Sequence, residues 1–147
     1  MAKDQPKPRD DTLWQNVNTL VQHIYSLLDD IVVNFSNEEW STVSKLRNAA
    51  NDSLFYTAQA VGSVAPEITT YDYNNARKNL FTLQTMYTFA GKQRFTKLDP
   101  DVVVNIDEML AEIDARMQVC QKELEKKNKE ELEPWLEKYR IWQKMHD

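Results

Sequence analysis

Apolar residues return at alternating steps of three and four along most of this chain, the period of one face of an α-helix. Leu13, Val17, Leu20, Val21, Ile24, Leu27, Leu28 and Ile31 form the first stripe and predict a helix over about residues 11–34, ending near Asn34-Phe35. Ser36, with Glu39 three positions on, has the spacing of a capping box that opens a second helix. That helix covers about 37–61, with Trp40, Val43, Leu46, Ala50, Leu54, Thr57 and Val61 in line. A third, over about 70–90, aligns Tyr73, Ala76, Leu80, Leu83, Tyr87 and Ala90. Asp99-Pro100 opens the fourth, aspartate as cap and proline at the first helical position, where a missing N–H costs nothing. Val103, Ile106, Leu110, Ile113, Met117, Cys120 and Leu124 then carry it to about residue 125.

The punctuation fits this parse. The two glycines of the chain, Gly62 and Gly91, each fall just past a predicted helix end, where a left-handed C-terminal cap suits glycine. Pro66 is expected to keep the second connection out of helix. Four amphipathic helices of similar length with short connections predict an all-α fold, an antiparallel up-down-up-down four-helix bundle over 11–125. Residues 1–10, rich in proline and charge, read as a disordered tail. Residues 126–147 read as a charged linker that breaks at Pro134, followed by an additional short C-terminal helix. Leu132, Trp135, Tyr139 and Trp142 line one face of that last helix, which either folds back on its own bundle or binds a partner.

Composition narrows the class. One cysteine, Cys120, excludes an internal disulfide and suits a reducing cytoplasm. No apolar run approaches the roughly 20 residues needed to span a bilayer, and the opening MAKDQPKPRDD lacks the apolar core of a secretion signal. The expectation is a cytoplasmic protein with no membrane contact. The net charge of −5 is unevenly spread: −4 over residues 1–39, +4 over 40–98 and −5 over 99–147. An acidic total opposes indiscriminate nucleic-acid binding, yet the basic middle leaves room for a local phosphate-binding face.

Chemistry is mostly absent. A dimetal site in a bundle core needs Glu-x-x-His pairs, and neither His23 nor His146 has a glutamate three residues before it. Asp107, Glu108, Glu112 and Asp114 read as a solvated acidic face of the fourth helix, and Cys120 as a buried thiol. There is no glycine-rich phosphate loop and no serine in a hydrolase setting. No enzyme, cofactor, metal or small-molecule substrate is expected. The constellation that remains is basic: Lys92, Arg94 and Lys97 in the third connection, and Lys45 and Arg47 near the start of the second helix, which an antiparallel bundle brings toward the same end. Gln93 and Phe95 offer a hydrogen-bonding and a stacking group suited to single-stranded nucleic acid. Arg77 and Lys78 lie toward the other end. The plainer alternative is a solvated loop that balances nearby carboxylates.

Several stretches resemble one family. Leu13-Trp14 and Ile24-Tyr25 in the first helix, Leu46-Arg47-Asn48-Ala49-Ala50 and Tyr56-Thr57-Ala58-Gln59-Ala60 in the second, and Ala76-Arg77-Lys78-Asn79-Leu80-Phe81-Thr82-Leu83-Gln84-Thr85 in the third are similar to its motifs. It comprises the small bacterial four-helix-bundle proteins of 23S ribosomal RNA intervening sequences and, structurally related to them, the accessory variability determinant (Avd) of diversity-generating retroelements. The resemblance spans roughly residues 12–118. Thr82 stands where the family carries glutamate, and the glycine and glutamate of its second-helix motif are missing. The resemblance implies a homo-oligomer, for Avd a pentameric ring that binds nucleic acid and a reverse transcriptase with its template RNA.

Two functions are therefore expected. One is a non-enzymatic Avd-like accessory protein that uses Lys45, Arg47, Arg77, Lys78, Lys92, Arg94, Phe95 and Lys97 on RNA or DNA. Ala49, Tyr56 and Ala60 of the second helix, with Phe81, Met86 and Phe89 of the third, form a second face for the oligomer, unless they only widen the core stripe. The other is a homo-oligomeric interaction scaffold that binds through Trp135, Tyr139 and Trp142 and touches no nucleic acid.

Overall fold

Asp11 opens the first helix: its Oδ1 accepts the backbone N–H of Trp14 at 3.1 Å, satisfying one of the donors that a helix start leaves without an internal partner. From there α1 covers Thr12–Asp29, α2 Asn37–Gly62, α3 Pro66–Lys92 and α4 Pro100–His146. The structure, a computed structural model, describes residues 8–29, 37–94 and 96–146, and among these there is no strand. The four helices pack against each other, α2 on α3, α3 on α4, and α1 on both α2 and α4. The Ser36 capping box, Ile31 and the expected end of the first helix near residue 34 lie outside the described residues. Pro8–Asp10, expected as tail, form a single 3-10 turn, and the carbonyl of Arg9 accepts a hydrogen bond from Gln15 Nε2 at 2.8 Å. No helix among the described residues is long and apolar enough to cross a membrane.

The stripes read from the sequence make the core. Leu13, Val17 and Ile24 of α1, Leu46 and Ala50 of α2, Leu80, Leu83 and Tyr87 of α3, and Ile106 and Ile113 of α4 are buried. Trp40 departs from its stripe and is exposed. On α4 the inward face also takes in Val102 and Met109, because this helix meets α1 on one side and α3 on the other.

The second line of α2 turns inward at Ala49 and Ala60, which belong to the core rather than to a free face. Ala49 and Ala60 are buried, and Ser53 and Thr57 return their hydroxyl hydrogens to the carbonyls of Ala50 and Ser53, each at 2.7 Å. A helix gripped by α1 and α3 needs a broad apolar arc, and small residues let both neighbours approach. Tyr56 and Met86 are half-buried against the same core; Phe81 and Phe89 remain largely exposed.

Polar contacts set the register. Lys127 meets Glu67 at 3.0 Å, Arg77 meets Asp114 at 2.7 Å, and Gln84 Nε2 donates to Asp107 at 2.7 Å. Ascending α3 thus descends α4, so this pair is antiparallel. Arg116 Nη1 joins three helices, donating to Asp11 of the α1 cap at 2.8 Å and to the Tyr73 hydroxyl of α3 at 3.1 Å, while its Nε donates to Glu112 at 2.9 Å. Burial pushes the Asp11 carboxyl up, but the Arg116 guanidinium and the Trp14 N–H outweigh it and hold the group below its ordinary range.

Three expectations at helix ends are corrected. Pro66 does not exclude helix; it stands at the first turn of α3, after an extended Ala65, the place where proline's fixed φ fits. Neither glycine is left-handed: Gly62 and Gly91 lie within α2 and α3, and the residue that turns left-handed is Arg94, at φ 61°. The separate C-terminal helix is absent, because α4 continues without a break through residues 126–133 and Pro134 to His146. The Lys, Glu, Gln and Leu that dominate residues 121–133 are strong helix formers with opposite charges four apart, as at Glu123 and Lys127. Pro134 withholds one backbone hydrogen bond and crowds the Glu130 carbonyl with its ring, in a stretch where that carbonyl is open to solvent.

Two outcomes test these assignments by thermal or urea unfolding. Gly62→Ala, with open space around the added Cβ, is expected to stabilise by roughly 0.5–1 kcal/mol, whereas Gly91→Ala places that Cβ 2.9 Å from the Leu98 Cβ and destabilises. Left-handed caps would make both changes unfavourable. Asp11→Asn keeps a capping side chain but loses the charge, and should cost about 1–2 kcal/mol at neutral pH. Because the folded carboxyl lies below its unfolded value, that stabilisation is complete above the ordinary aspartate range near pH 4. It vanishes as pH falls through the lower folded value, where the two proteins should converge.

Candidate functional site

The connection between α3 and α4 is built around Tyr87. Its hydroxyl donates to the Lys97 carbonyl at 3.1 Å and accepts the Asp99 N–H at 2.7 Å, pinning the returning chain to α3. Gln93 N–H donates to Phe89 O at 2.9 Å and Arg94 N–H to Gly91 O at 3.1 Å, closing the helix end. Leu98 then folds over Gly91, which is why that position has no side chain. Asp99 caps α4 through the Asp101 N–H at 3.0 Å. The tip of this connection is Arg94, a non-glycine residue held in the left-handed region at a cost of order 1–2 kcal/mol.

Lys92, Arg94 and Lys97 are exposed on this one short connection; Phe95 lies outside the described residues. Lys45 and Arg47 are not level with them. Residues 63–65 alone join α2 to α3, so positions equidistant from this turn face each other, and Lys45 sits beside about Leu83. That leaves it on the order of 14 Å short of Lys92 along the axis. Arg47 turns to α1, its guanidinium 5.8 Å from the centre of the Tyr25 ring. Arg77 is paired with Asp114, and Lys78 is exposed midway along α3. The seven described of the eight expected nucleic-acid residues therefore make one compact trio and four scattered outliers. Asp99 and Asp101, immediately after the trio, also line an open groove of about 610 Å³ between α1 and α4, with Glu108, Glu112 and the exposed His23 on its rim. This acidic neighbour works against phosphate.

Three of the four α4 carboxylates read as a solvated face have structural partners: Asp107 holds Gln84, Asp114 holds Arg77 and Glu112 holds Arg116. Among the described residues no group of three or more His, Cys, Asp or Glu is placed to hold a metal ion. Cys120 is buried, and desolvation raises its thiol above the ordinary value.

The other candidate surface is the end of α4. The Lys127–Glu67 pair lies one residue from the start of α3, and every residue from Glu125 to His146 is exposed. Residues 128–146 therefore form an arm about 28 Å long. Trp135 is 68 % exposed, Tyr139 56 % and Trp142 54 %, with Leu132, Leu136 and Met145 beside them. The rings are organised along the arm: Tyr139 stacks on Trp142 at 6.2 Å, Trp142 on His146 at 4.4 Å, and Lys138 Nζ lies 5.1 Å from the Trp135 ring centre. The sequence stripe located these residues; their distance from the bundle was hidden by the reading of Pro134 as a break.

Comparisons with protein-family models, curated proteins and solved structures each find no match to this chain.

Arg94→Gly tests the loop tip. Removal of the left-handed strain should raise stability by about 1 kcal/mol, measured by urea unfolding. A loss of stability would show that the side chain contributes more to the loop than its backbone strain costs.

Proposed function

We propose that this chain is a non-enzymatic interaction module: a four-helix, up-down-up-down bundle that presents a rigid aromatic arm to a protein partner. The observation that carries this reading is the exposure of Trp135, Tyr139 and Trp142 on a continuous helix that extends beyond its own bundle. Stacked rings at helical spacing lose little side-chain freedom on binding, and Trp and Tyr supply much of the energy at protein interfaces. Exposed apolar side chains in a row, rather than scattered singly, mark an association surface. The helix-in-groove or helix-on-helix mode needs only one amphipathic face, which the arm has.

A second reading, an Avd-like accessory protein for a retroelement reverse transcriptase and its RNA, keeps support from the sequence resemblance and from the strained, exposed Arg94 between Lys92 and Lys97. Strain held at an exposed cation is a cost that ligand contact could justify. The acidic groove beside the loop and the inward turn of Ala49 and Ala60 weigh against it.

The readings separate on one pair of variants, each in the full chain. Trp135→Ala with Trp142→Ala changes exposed positions outside the core and should leave the unfolding midpoint within the range of surface substitutions, about 0.5 kcal/mol. It should abolish arm-dependent association, measured by size-exclusion chromatography with light scattering and by recovery of bound partners. Lys92→Glu with Arg94→Glu and Lys97→Glu should leave that association intact. The opposite pattern, with RNA binding lost in the charge-reversed variant alone, would replace the first reading by the second.

A further inference from the structure

We propose that the arm's partner is the arm of a second copy of this chain, paired antiparallel about a two-fold axis at Glu137. This inference rests on the interaction-module reading and names the partner it leaves open.

Leu132, Trp135, Tyr139, Trp142 and His146 are spaced three or four apart, a heptad seam, and Asn128 precedes them in the same phase. All are exposed. The charges along the arm change sign at its middle. Lys129 with Glu130, Glu131, Glu133 and Glu137 leaves −3 on the first half; Lys138, Arg140 and Lys144 put +3 on the second. A parallel pair would set −3 against −3 and +3 against +3. An antiparallel pair sets each acidic half beside a basic one; Lys129, Glu131 and Lys138 flank the seam and the other charges stand on outer faces, so the contrast biases orientation through the field of each half rather than through contact pairs.

The seam and the charges choose the same register. With the axis at Glu137, Leu132 faces the partner's Trp142 and Trp135 faces the partner's Tyr139. Asn128 faces the partner's His146, a polar layer closing each end, of the kind that fixes register in helical pairs. Leu136 lies beside the axis, next to the partner's Leu136. The surface is large enough for this. Six aromatic rings, each capable of burying about 150–250 Å² and already more than half exposed, together with the leucines and Met145, supply on the order of 1,000 Å². That reaches the roughly 1,000 Å² a specific interface requires. Such a pairing is isologous and closed, so it stops at two copies.

Orientation and partner are tested together by disulfide trapping in the full chain. In a Cys120→Ser background, one protein carries Glu131→Cys and a second carries Met145→Cys; both positions flank the seam and leave its rings intact. The proposed register brings residue 131 beside the partner's residue 145, whereas parallel arms hold them about 21 Å apart. On mixing and mild oxidation, the mixed disulfide should exceed either homodisulfide several-fold, and Trp135→Ala with Trp142→Ala should remove it. Homodisulfides in excess would overturn the antiparallel orientation. A full chain that sediments as a monomer and forms no disulfide above that of the double alanine variant would overturn self-pairing. If such a monomer still captures another protein through the arm, the interaction-module reading stands and this inference fails; if arm substitutions change no association at all, both fail.

Discussion

Arg116 donates to the cap of α1, to a tyrosine of α3 and to a carboxylate of its own helix, and most of the polar order in this bundle follows from that placement. A guanidinium offers several donors in a fixed fork, so one side chain can tie three helices where an ammonium would give a point contact. Desolvation opposes its charge, yet Asp11, Tyr73 and Glu112 together outweigh that penalty and keep it firmly protonated. With α4 held there, Asp114 and Asp107 fall opposite Arg77 and Gln84, and Lys127 opposite Glu67 at the end of α3. The register fixed by Arg116 therefore decides which residue of α4 is the last to have a neighbour.

Length then does the rest. α4 has 47 residues, against 18, 26 and 27 in the other three helices. A bundle closes around matched lengths, and what exceeds them must either fold back or stand in solvent. Apolar residues on such an excess are a liability unless something covers them. Within the bundle the opposite holds for the small residues of α2, which with their satisfied hydroxyls are consumed by α1 and α3, although Trp40 and Phe55 of the same helix stay exposed.

How much of this the sequence discloses depends on whether a feature is local. The stripes of α1 and α3, the Asp99-Pro100 start and the burial of Cys120 are local periodicities and caps, and the structure has them where they were read. Gly91 misled because glycine just past a stripe has a second cause besides a left-handed turn, close approach by another chain segment; Gly62 has open space around it, and nothing in the structure calls for glycine there. At Gly91 the cause is Leu98, seven residues on, which no helical period reveals. Pro134 misled because a proline penalty of about 3 kcal/mol can be outweighed by strong helix formers on either side, and the continuity of α4 through it is a property of the whole stretch rather than of that residue. The basic trio on the α3–α4 connection was legible from spacing; the absence of Lys45 and Arg47 from it was not, since the level of a side chain along a bundle follows from the three-residue turn between α2 and α3.

The arm and the basic connection lie at opposite ends of α4, and this separates the two assemblies that the molecule suggests. In a ring of bundles, copies of the Lys92–Lys97 connection would converge around one axis, and avidity would multiply a weak phosphate site. In an arm pair centred at Glu137, each connection lies forty residues from the axis, about 60 Å away, and the two point in opposite directions about 120 Å apart. Only a ligand of about 35 base pairs or its extended equivalent could touch both, so each trio would act alone against the carboxylates of Asp99 and Asp101 beside it. Arm pairing thus removes the multivalency on which nucleic-acid binding by so small a cationic patch depends.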